Sequence, residues 1–151
     1  MSPRRATTLV LIGSFIAARS NASAAILPST PSSSNRMRPG LTRAAQNSGE
    51  LTLALRDDLT QHHGFAHGAV VGLMADNACA WAAASVAGDV VTGSYTINFL
   101  APAKGERLRA KGQVVKSGKR QVIVRAEVWA EGREAVPVLA AIATATIVPV
   151  G

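Results

Sequence analysis

The feature that most constrains the fold is an apolar stretch of eighteen residues, Ala69 to Val86, which contains one charged side chain, Asp76. The stretch is rich in alanine, contains no proline and is apolar on nearly every side, which predicts a buried helix rather than a surface helix. A lone carboxylate on a buried helix is costly unless a neighbour pairs with it or the protein uses it. Asp76 is therefore either satisfied by local donors or functional, and this residue alone does not decide between the two.

The segments on either side of the helix predict an antiparallel sheet. Before it, Leu51, Leu53 and Leu55 alternate with other residues, which indicates a strand, and the polar segment 56–65 is predicted to be a loop. After it, strands are predicted at 90–100, 108–115, 121–129 and 138–148, joined by tight turns. Tight turns connect antiparallel neighbours. The pattern predicts one α+β domain, residues 49–151, in which about five antiparallel strands pack against one helix.

The N-terminal segment differs in charge from this domain. Residues 1–49 contain six Arg and no Asp or Glu, whereas residues 50–151 contain ten Lys or Arg and nine Asp or Glu. The domain itself is nearly neutral, so no nucleic-acid partner is expected, because such binding needs a basic face on the domain. Residues 1–48 show no pattern able to bury apolar surface, and we predict a disordered leader that lies outside the fold.

Three explanations of the leader remain open. It contains the parts of a secretory signal (Arg4-Arg5, an apolar run from Thr7 to Ala18, and Ala22-Ser23-Ala24), but its Arg-rich, acid-free composition is also typical of an organelle transit peptide. The third explanation is that translation starts at Met37. The apolar run is too short for a stable membrane span. The protein is expected in the cytoplasm if the leader is not a signal, and is otherwise exported or organelle-targeted.

Metal and disulfide chemistry receive little support. Cys79 is the single cysteine, so a disulfide within the chain is impossible and no cysteine cluster suggests zinc. His63 and His67 have the i, i+4 spacing of helical metal ligands, but Gly64 lies between them in a segment that is not predicted to be helical. We therefore predict no metal site.

Gly68, at the start of the helix, is the second notable residue. Backbone N–H groups in the first helical turn lack intrahelical partners, and a glycine lets a ligand approach them, so such an N–H suits a developing oxyanion. Gly68 and Asp76 are eight residues apart, or about 12 Å along a helix. Groups that act on one carbonyl must lie within about 3–3.5 Å of the reacting atoms. Two antiparallel helices related by a two-fold axis satisfy this requirement, which predicts a homodimer, or a tetramer of dimers, with shared sites.

A family resemblance covers roughly residues 49–148. Hotdog-fold acyl-CoA thioesterases of the phenylacetate-pathway type are similar to two segments, QHHGFAHGAVVGLMADNACAWAA and TGSYTINFLAPAKGERLRAKGQVVKSGKRQVIVRAEVW. That family shows an Asn or Gln, a short Gly loop, His-Gly-Gly, an Asp after seven further residues, and a Thr or Ser strand that ends in an N-F-L-x-P-A-like turn. The matching positions are Gln61, His67-Gly68-Ala69, Asp76, Thr92 and Asn98 to Ala103. Ala69 replaces the usual second glycine, and the family's N-terminal helix is missing.

The resemblance implies a sheet wrapped around one long buried helix and a role for each matching residue. Asp76 is implied as the nucleophile or the general base that activates water. The Gly68 N–H polarises the thioester carbonyl, Gln61 positions Asp76, the water or the carbonyl, and Thr92 orients the water. His67 fixes the loop through a ring nitrogen bonded to backbone.

The same resemblance implies an acyl-CoA substrate with an aryl or medium-chain acyl group. No separate cofactor is expected, because coenzyme A is part of the substrate. The candidate substrate contacts are His63, Phe65, Ala69, Asn98, Phe99, Lys104, Gly118, Lys119 and Arg120. Two alternatives stay open: a hotdog dehydratase that uses His67 with a carboxylate for proton transfer, and a non-catalytic protein that binds acyl-CoA.

Overall fold

Seven strands and one long helix make up the part of the chain that the computed structural model describes, residues 9–11 and 40–150. The strands are β1 (Leu9–Leu11), β2 (Gly40–Ala45), β3 (Ser48–Ala54), β4 (Val90–Phe99), β5 (Arg107–Ser117), β6 (Val122–Glu131) and β7 (Val138–Pro149). The helix, α1, spans Gly68–Ala87, and two short 3-10 helices, Asp57–Leu59 and His62–Gly64, precede it.

The strands form one sheet in the order β1-β4-β7-β6-β5-β3-β2, and every neighbouring pair is antiparallel. β5, β6 and β7 follow one another through tight turns, as the turn residues predict. β3 and β4, which flank α1 in the chain, join opposite sides of this three-stranded unit. The sheet that encloses the helix therefore combines strands that precede α1 in the chain with strands that follow it.

α1 is buried because its sequence offers no polar face. Thirteen of its residues are buried, among them Asp76. His67 is the N-cap residue, and the helix ends at Gly88, whose φ of 77° is a left-handed conformation that favours glycine. By length and composition α1 would also pass as a membrane span, but here it packs against the sheet from β3 to β7.

Two glycines let the sheet approach the helix closely. A Cβ atom added to Gly112 of β5 would lie 2.1 Å from the carbonyl oxygen of Ala78. A Cβ atom on Gly49 of β3 would lie 2.9 Å from the Cβ of Trp81. Backbone of the sheet and backbone of α1 therefore pack against each other without intervening side chains, which sets the depth of the helix in the sheet.

The predicted α+β class, the helix and all five predicted strands are confirmed, and the arrangement is that of a hotdog fold. The prediction missed two strands. It placed residues 1–48 outside the fold, but β2 pairs with β3 from Gly40↔Thr52 to Ala45↔Ser48, and β1 pairs with β4. The described sheet thus includes residues before 49, and the residue at which the domain begins stays a prediction. The other proposed targeting features, Arg4-Arg5 and Ala22 to Ala24, and the alternative start Met37 lie outside the described residues.

Candidate active site

The loop before α1 holds Gly68 in place through backbone hydrogen bonds. His63 and Gly64 adopt positive φ values of 67° and 70°, which reverse the chain so that the Gln61 N–H donates to the Phe65 carbonyl at 2.8 Å. The Ala66 N–H then donates to the Ala103 carbonyl at 2.8 Å, in the connection that follows β4. The loop and the end of β4 are thus tied together beside the helix N-terminus.

His67 caps the helix with its side chain. Its Nδ1 accepts a hydrogen bond from the Ala69 N–H at 3.1 Å, so the predicted bond between a ring nitrogen and backbone is present. The Gly68 N–H donates to no other residue in the described part of the chain. A helix N-terminus with a free N–H carries partial positive charge and favours an anionic or polarised oxygen.

Gly68 lies in a cleft of about 750 Å³ between the loop and the β4–β5 connection. Its lining residues are Gln61, Phe65, Ala66, His67, Gly68, Val71, Phe99, Leu100, Ala101, Pro102, Ala103 and Ala140. The ring of Phe99 lies next to Gly68, 3.6 Å from the position that a Cβ atom would take there. The lining is mainly apolar, with a few polar groups at the helix N-terminus, which is typical of a small-molecule site.

Asp76 is buried two turns further along α1, with 3% of its surface exposed. The hydroxyl of Thr92 on β4 donates to its Oδ1 at 2.8 Å. Burial raises the pKa of Asp76 above its usual value because it disfavours the charged form, and the hydrogen bond from Thr92 acts in the opposite direction. A carboxyl group with a raised pKa and a fixed orientation is suited to accept a proton near neutral pH.

Two further titratable groups lie near Asp76. Burial, and then the charge of Asp76, raise the pKa of the Cys79 thiol, so it stays protonated. The same two effects raise the pKa of Tyr95, with a further contribution from Cys79. Neither group is a thiolate or phenolate nucleophile, so Asp76 is the group near this position that can act as a base.

The structure divides the predicted catalytic residues into two groups. Gln61, His67 and Gly68 lie together at the N-terminal cleft, whereas Asp76, two turns further along α1, accepts its hydrogen bond from Thr92 on β4. The eight-residue interval along α1 corresponds to about 12 Å. Within one chain, the two groups therefore cannot act on the same carbonyl.

Comparison with known proteins identifies the family. The model of the thioesterase superfamily matches residues 63–136. A solved structure of a thioesterase family protein from Silicibacter pomeroyi is 32% identical, superposes with a TM-score of 0.71, and covers 74% of this chain and 84% of its own. The chain belongs to the thioesterase superfamily.

Other solved structures share the fold of this superfamily member at lower identity. The PaaI protein from the phenylacetic acid degradation operon of E. coli is 22% identical, with a TM-score of 0.66 over 75% of this chain and 80% of that one. A Streptococcus mutans protein bound to acetyl-CoA is 24% identical, with a TM-score of 0.66 over 76% of this chain and 90% of that one. Comparison with curated protein sequences gives no match.

The predicted substrate contacts of this thioesterase-superfamily chain occupy different places. Phe65 and Phe99 line the cleft, and His63 and Ala69 are exposed beside it. Lys104 is exposed in the β4–β5 connection, whereas Asn98 is half-buried near the end of β4 and does not line the cleft. The structure therefore assembles only part of the predicted set around Gly68.

The remaining three predicted contacts line a second cleft of about 710 Å³ at the β5–β6 turn. This cleft contains Gly118, Lys119 and Arg120 together with Lys116. The turn is at the opposite end of β5 from Lys104, and eleven residues of strand span about 33 Å. Lys104 and the Lys119-Arg120 pair therefore do not contact one ligand within a single chain.

Sequence reasoning missed several residues of the site. Val71 and Ala140 line the first cleft without any sequence signal, because small apolar residues occur throughout the domain. Lys116 lines the same cleft as the basic turn residues. A search for basic residues that extended a few positions before the turn would include it. Tyr95 was also missed, although an aromatic residue beside Thr92 in a β-branched strand was a visible signal. Across residues 40–150, no three His, Cys, Asp or Glu side chains gather into a group able to hold a metal ion.

Proposed function

We propose that this protein hydrolyses the thioester of aryl- or medium-chain acyl-CoA to the free acid and CoA, at sites shared between two chains. The observation that carries the proposal is Asp76, a buried carboxylate oriented by Thr92 on a helix whose N-terminus opens into an apolar cleft. Membership of the thioesterase superfamily supports the reaction type. The acetyl-CoA bound to the S. mutans relative supports the class of substrate.

The reaction needs a base, an activated water and an acceptor for negative charge. Asp76 removes a proton from water as the water oxygen bonds to the thioester carbon, and the carbonyl oxygen takes the negative charge. The tetrahedral intermediate then collapses, the carbon–sulfur bond breaks, and the CoA thiolate leaves and takes up a proton. In the second version of this mechanism, Asp76 itself attacks the carbonyl and water hydrolyses the resulting anhydride.

The other residues position these groups. The Gly68 N–H at the helix N-terminus stabilises the oxyanion, and Gln61, in the same cleft, orients the carbonyl or the water. Thr92 holds the Asp76 carboxylate in one orientation. His67 acts through the cap, because its Nδ1 is engaged by the Ala69 N–H.

A two-fold dimer unites the separated groups, because it places Gly68 of one chain opposite Asp76 of the other. β4, the outermost long strand on that side of the sheet, is the natural contact, since pairing there extends the sheet and brings the two helices together. β1 pairs with Tyr95 to Ile97 of this edge, so dimerisation through β4 requires β1 to leave it. We expect a chain that lacks residues 1–39 to form the dimer and to retain activity.

The test of the reaction is a panel of aryl- and straight-chain acyl-CoAs, with the release of free CoA thiol as the signal. Asp76→Asn should lower turnover by about two to four orders of magnitude. Asp89→Asn is the matched control, because Asp89 is exposed at the turn after α1. Turnover by Asp76→Asn at a near-normal rate would reject the assignment.

A mixing experiment tests the shared site. Asp76→Asn and Gln61→Ala homodimers should both be weakly active. After equal amounts are refolded together, half of the molecules are heterodimers in which one of two sites is intact, so about a quarter of wild-type activity should return. Heterodimers that form without any recovery would place Gln61 and Asp76 in the same half of the site and contradict the proposal.

A further inference from the structure

Tyr95 faces the same helix as Thr92 because of a β-bulge in β4. Side chains two residues apart share a face of a regular strand, yet Thr92 and Tyr95 are three residues apart and both are buried. The register between β4 and β7 shifts between Thr92 and Ser94, where one extra residue enters the strand. The bulge thus places a second polar side chain next to the one that holds Asp76.

The Tyr95 hydroxyl lies against Gly72, which is one helical turn before Asp76. A Cβ atom on Gly72 would be 3.0 Å from the Tyr95 hydroxyl oxygen, so the glycine leaves room beside the hydroxyl. Three residues of α1 that are four apart therefore face β4 in succession: Gly68 faces Phe99, Gly72 faces Tyr95, and Asp76 faces Thr92. Successive members of this series are about 6 Å apart along the helix.

The Tyr95 hydroxyl has no hydrogen-bond partner among the described residues. The residue is only 7% exposed, but every fully buried side-chain oxygen or nitrogen in residues 40–150 has a partner. The hydroxyl oxygen must therefore border accessible space. Burial and the nearby Asp76 charge raise the pKa of Tyr95, so the group is a hydrogen-bond donor that lacks an acceptor.

The proposed shared site places this donor between the two reaction centres. In such a dimer, Gly68 of each chain lies opposite Asp76 of the other chain. The two-fold axis then passes closest to residue 72, which is midway between them. Gly72 and the Tyr95 hydroxyl then lie about 6 Å along the helix from each thioester carbonyl. An acyl group that runs from this carbonyl along α1 toward the two-fold axis therefore meets the Tyr95 hydroxyl.

We propose that Tyr95 is a specificity-determining residue whose hydroxyl donates a hydrogen bond to an oxygen atom on the acyl group. This inference rests on the proposed function. The hydroxyl lies about 6 Å along the helix from the thioester carbon, and the accepting oxygen lies about 2.8 Å from the hydroxyl. About 3 Å therefore separates the thioester carbon from that oxygen, which corresponds to about three bonds of about 1.5 Å in a bent chain. The site therefore favours acyl groups that carry a carbonyl or hydroxyl oxygen at that distance over plain acyl groups of equal length.

The test compares 3-oxohexanoyl-CoA with hexanoyl-CoA, which differ by one oxygen on the third carbon. The wild-type enzyme should prefer the oxo substrate by about three- to tenfold in kcat/KM, the range that one neutral hydrogen bond supports. Tyr95→Phe removes only the hydroxyl, and its ratio of the two kcat/KM values should fall to about one. An equal ratio in the wild type and Tyr95→Phe would overturn the proposal.

A binding measurement keeps this inference separate from the reaction itself. Dethia analogues of the two substrates, in which a methylene replaces the sulfur, are not hydrolysed. Tyr95 is the single tyrosine of the chain, so the tyrosine absorption band reports on this hydroxyl. The oxo analogue should shift the band to longer wavelength relative to the plain analogue, even if no hydrolysis is found. Identical spectra of the two bound analogues would overturn the role of Tyr95 and leave the proposed hydrolysis intact.

Discussion

Replacing Gly112 by alanine should destabilise the domain more than any exposed substitution, because the new methyl group meets the helix backbone. The Cβ atom would lie 2.1 Å from the Ala78 carbonyl oxygen, 2.6 Å from its carbon and 3.1 Å from the Cys79 nitrogen. Relief requires β5 and α1 to separate by about 1 Å, since non-bonded heavy atoms prefer about 3.5 Å or more. No flexible side chain can move aside to absorb this displacement.

The expected cost is about 3 kcal/mol, the upper end of the usual range for an overpacked core. Alanine also reduces the conformational freedom of the unfolded chain, which stabilises the protein by about 0.4–1 kcal/mol. The net loss of stability is therefore about 2–2.5 kcal/mol. For a domain of this size that corresponds to a Tm lower by about 8–12 °C. The displacement also moves the helix segment that carries Asp76, so turnover should fall as well, because a misplacement of about 1 Å can cost about 100-fold.

Chemical denaturation and acyl-CoA hydrolysis measure the two effects. Gly40→Ala is the matched control, because its Cβ atom would find its nearest neighbour at 4.0 Å; it should change the free energy of unfolding by less than about 0.5 kcal/mol. If Gly112→Ala had the same denaturation midpoint as Gly40→Ala, the close packing of β5 on α1 would not exist as described.

Three further predictions concern Asp76 and its neighbours. Thr92→Val removes the hydrogen bond that lowers the pKa of Asp76, so the acid limb of the pH–rate profile should move to higher pH; an unchanged limb would contradict the role of Thr92. Burial raises the pKa of Asp76 in the native state above its value in the unfolded chain. Between these two pKa values the native state binds more protons than the unfolded state, so the protein loses stability as the pH rises through that range. Asp76→Asn should therefore unfold at a higher Tm than wild type at pH 8, by a margin that shrinks in acid; a lower Tm at pH 8 would show that the ionised group is stabilised. Cys79 is fully buried and its pKa is raised, so a thiol reagent should modify it only on unfolding, and rapid reaction of the native protein would be inconsistent with its position.

Sequence patterns predicted the elements that bury apolar side chains. The alternation at Leu51 and Leu53 and the absence of a polar face on α1 have direct physical causes, because each element must bury its apolar residues. β2 was missed for the complementary reason. Its sequence, Gly-Leu-Thr-Arg-Ala-Ala, lies at the sheet edge with mostly exposed residues, so pairing with β3 rather than burial makes it a strand.

The candidate site was predictable where it depends on spacing within one element and not where it depends on register. The burial of Asp76 followed from its surroundings on α1, and the position of Gly68 from the start of the helix. The family resemblance implied that Thr92 orients the water, but the hydrogen bond from Thr92 to Asp76 was not predicted. The orientation of Tyr95 depends on a bulge between Thr92 and Ser94, and strand periodicity alone places Tyr95 on the opposite face.

The order of the strands has a consequence for how the chain folds during synthesis. β3 pairs with β5, and Val90 at the start of β4 pairs with Pro149 in β7. Both pairings join residues that are more than fifty positions apart, and such non-local contacts slow folding. The apolar helix must therefore wait for the C-terminal end of the domain to leave the ribosome before the sheet can close around it. Until then its surface is exposed and prone to aggregate, so nascent chains that end before β7 should require chaperone protection and full-length chains should not.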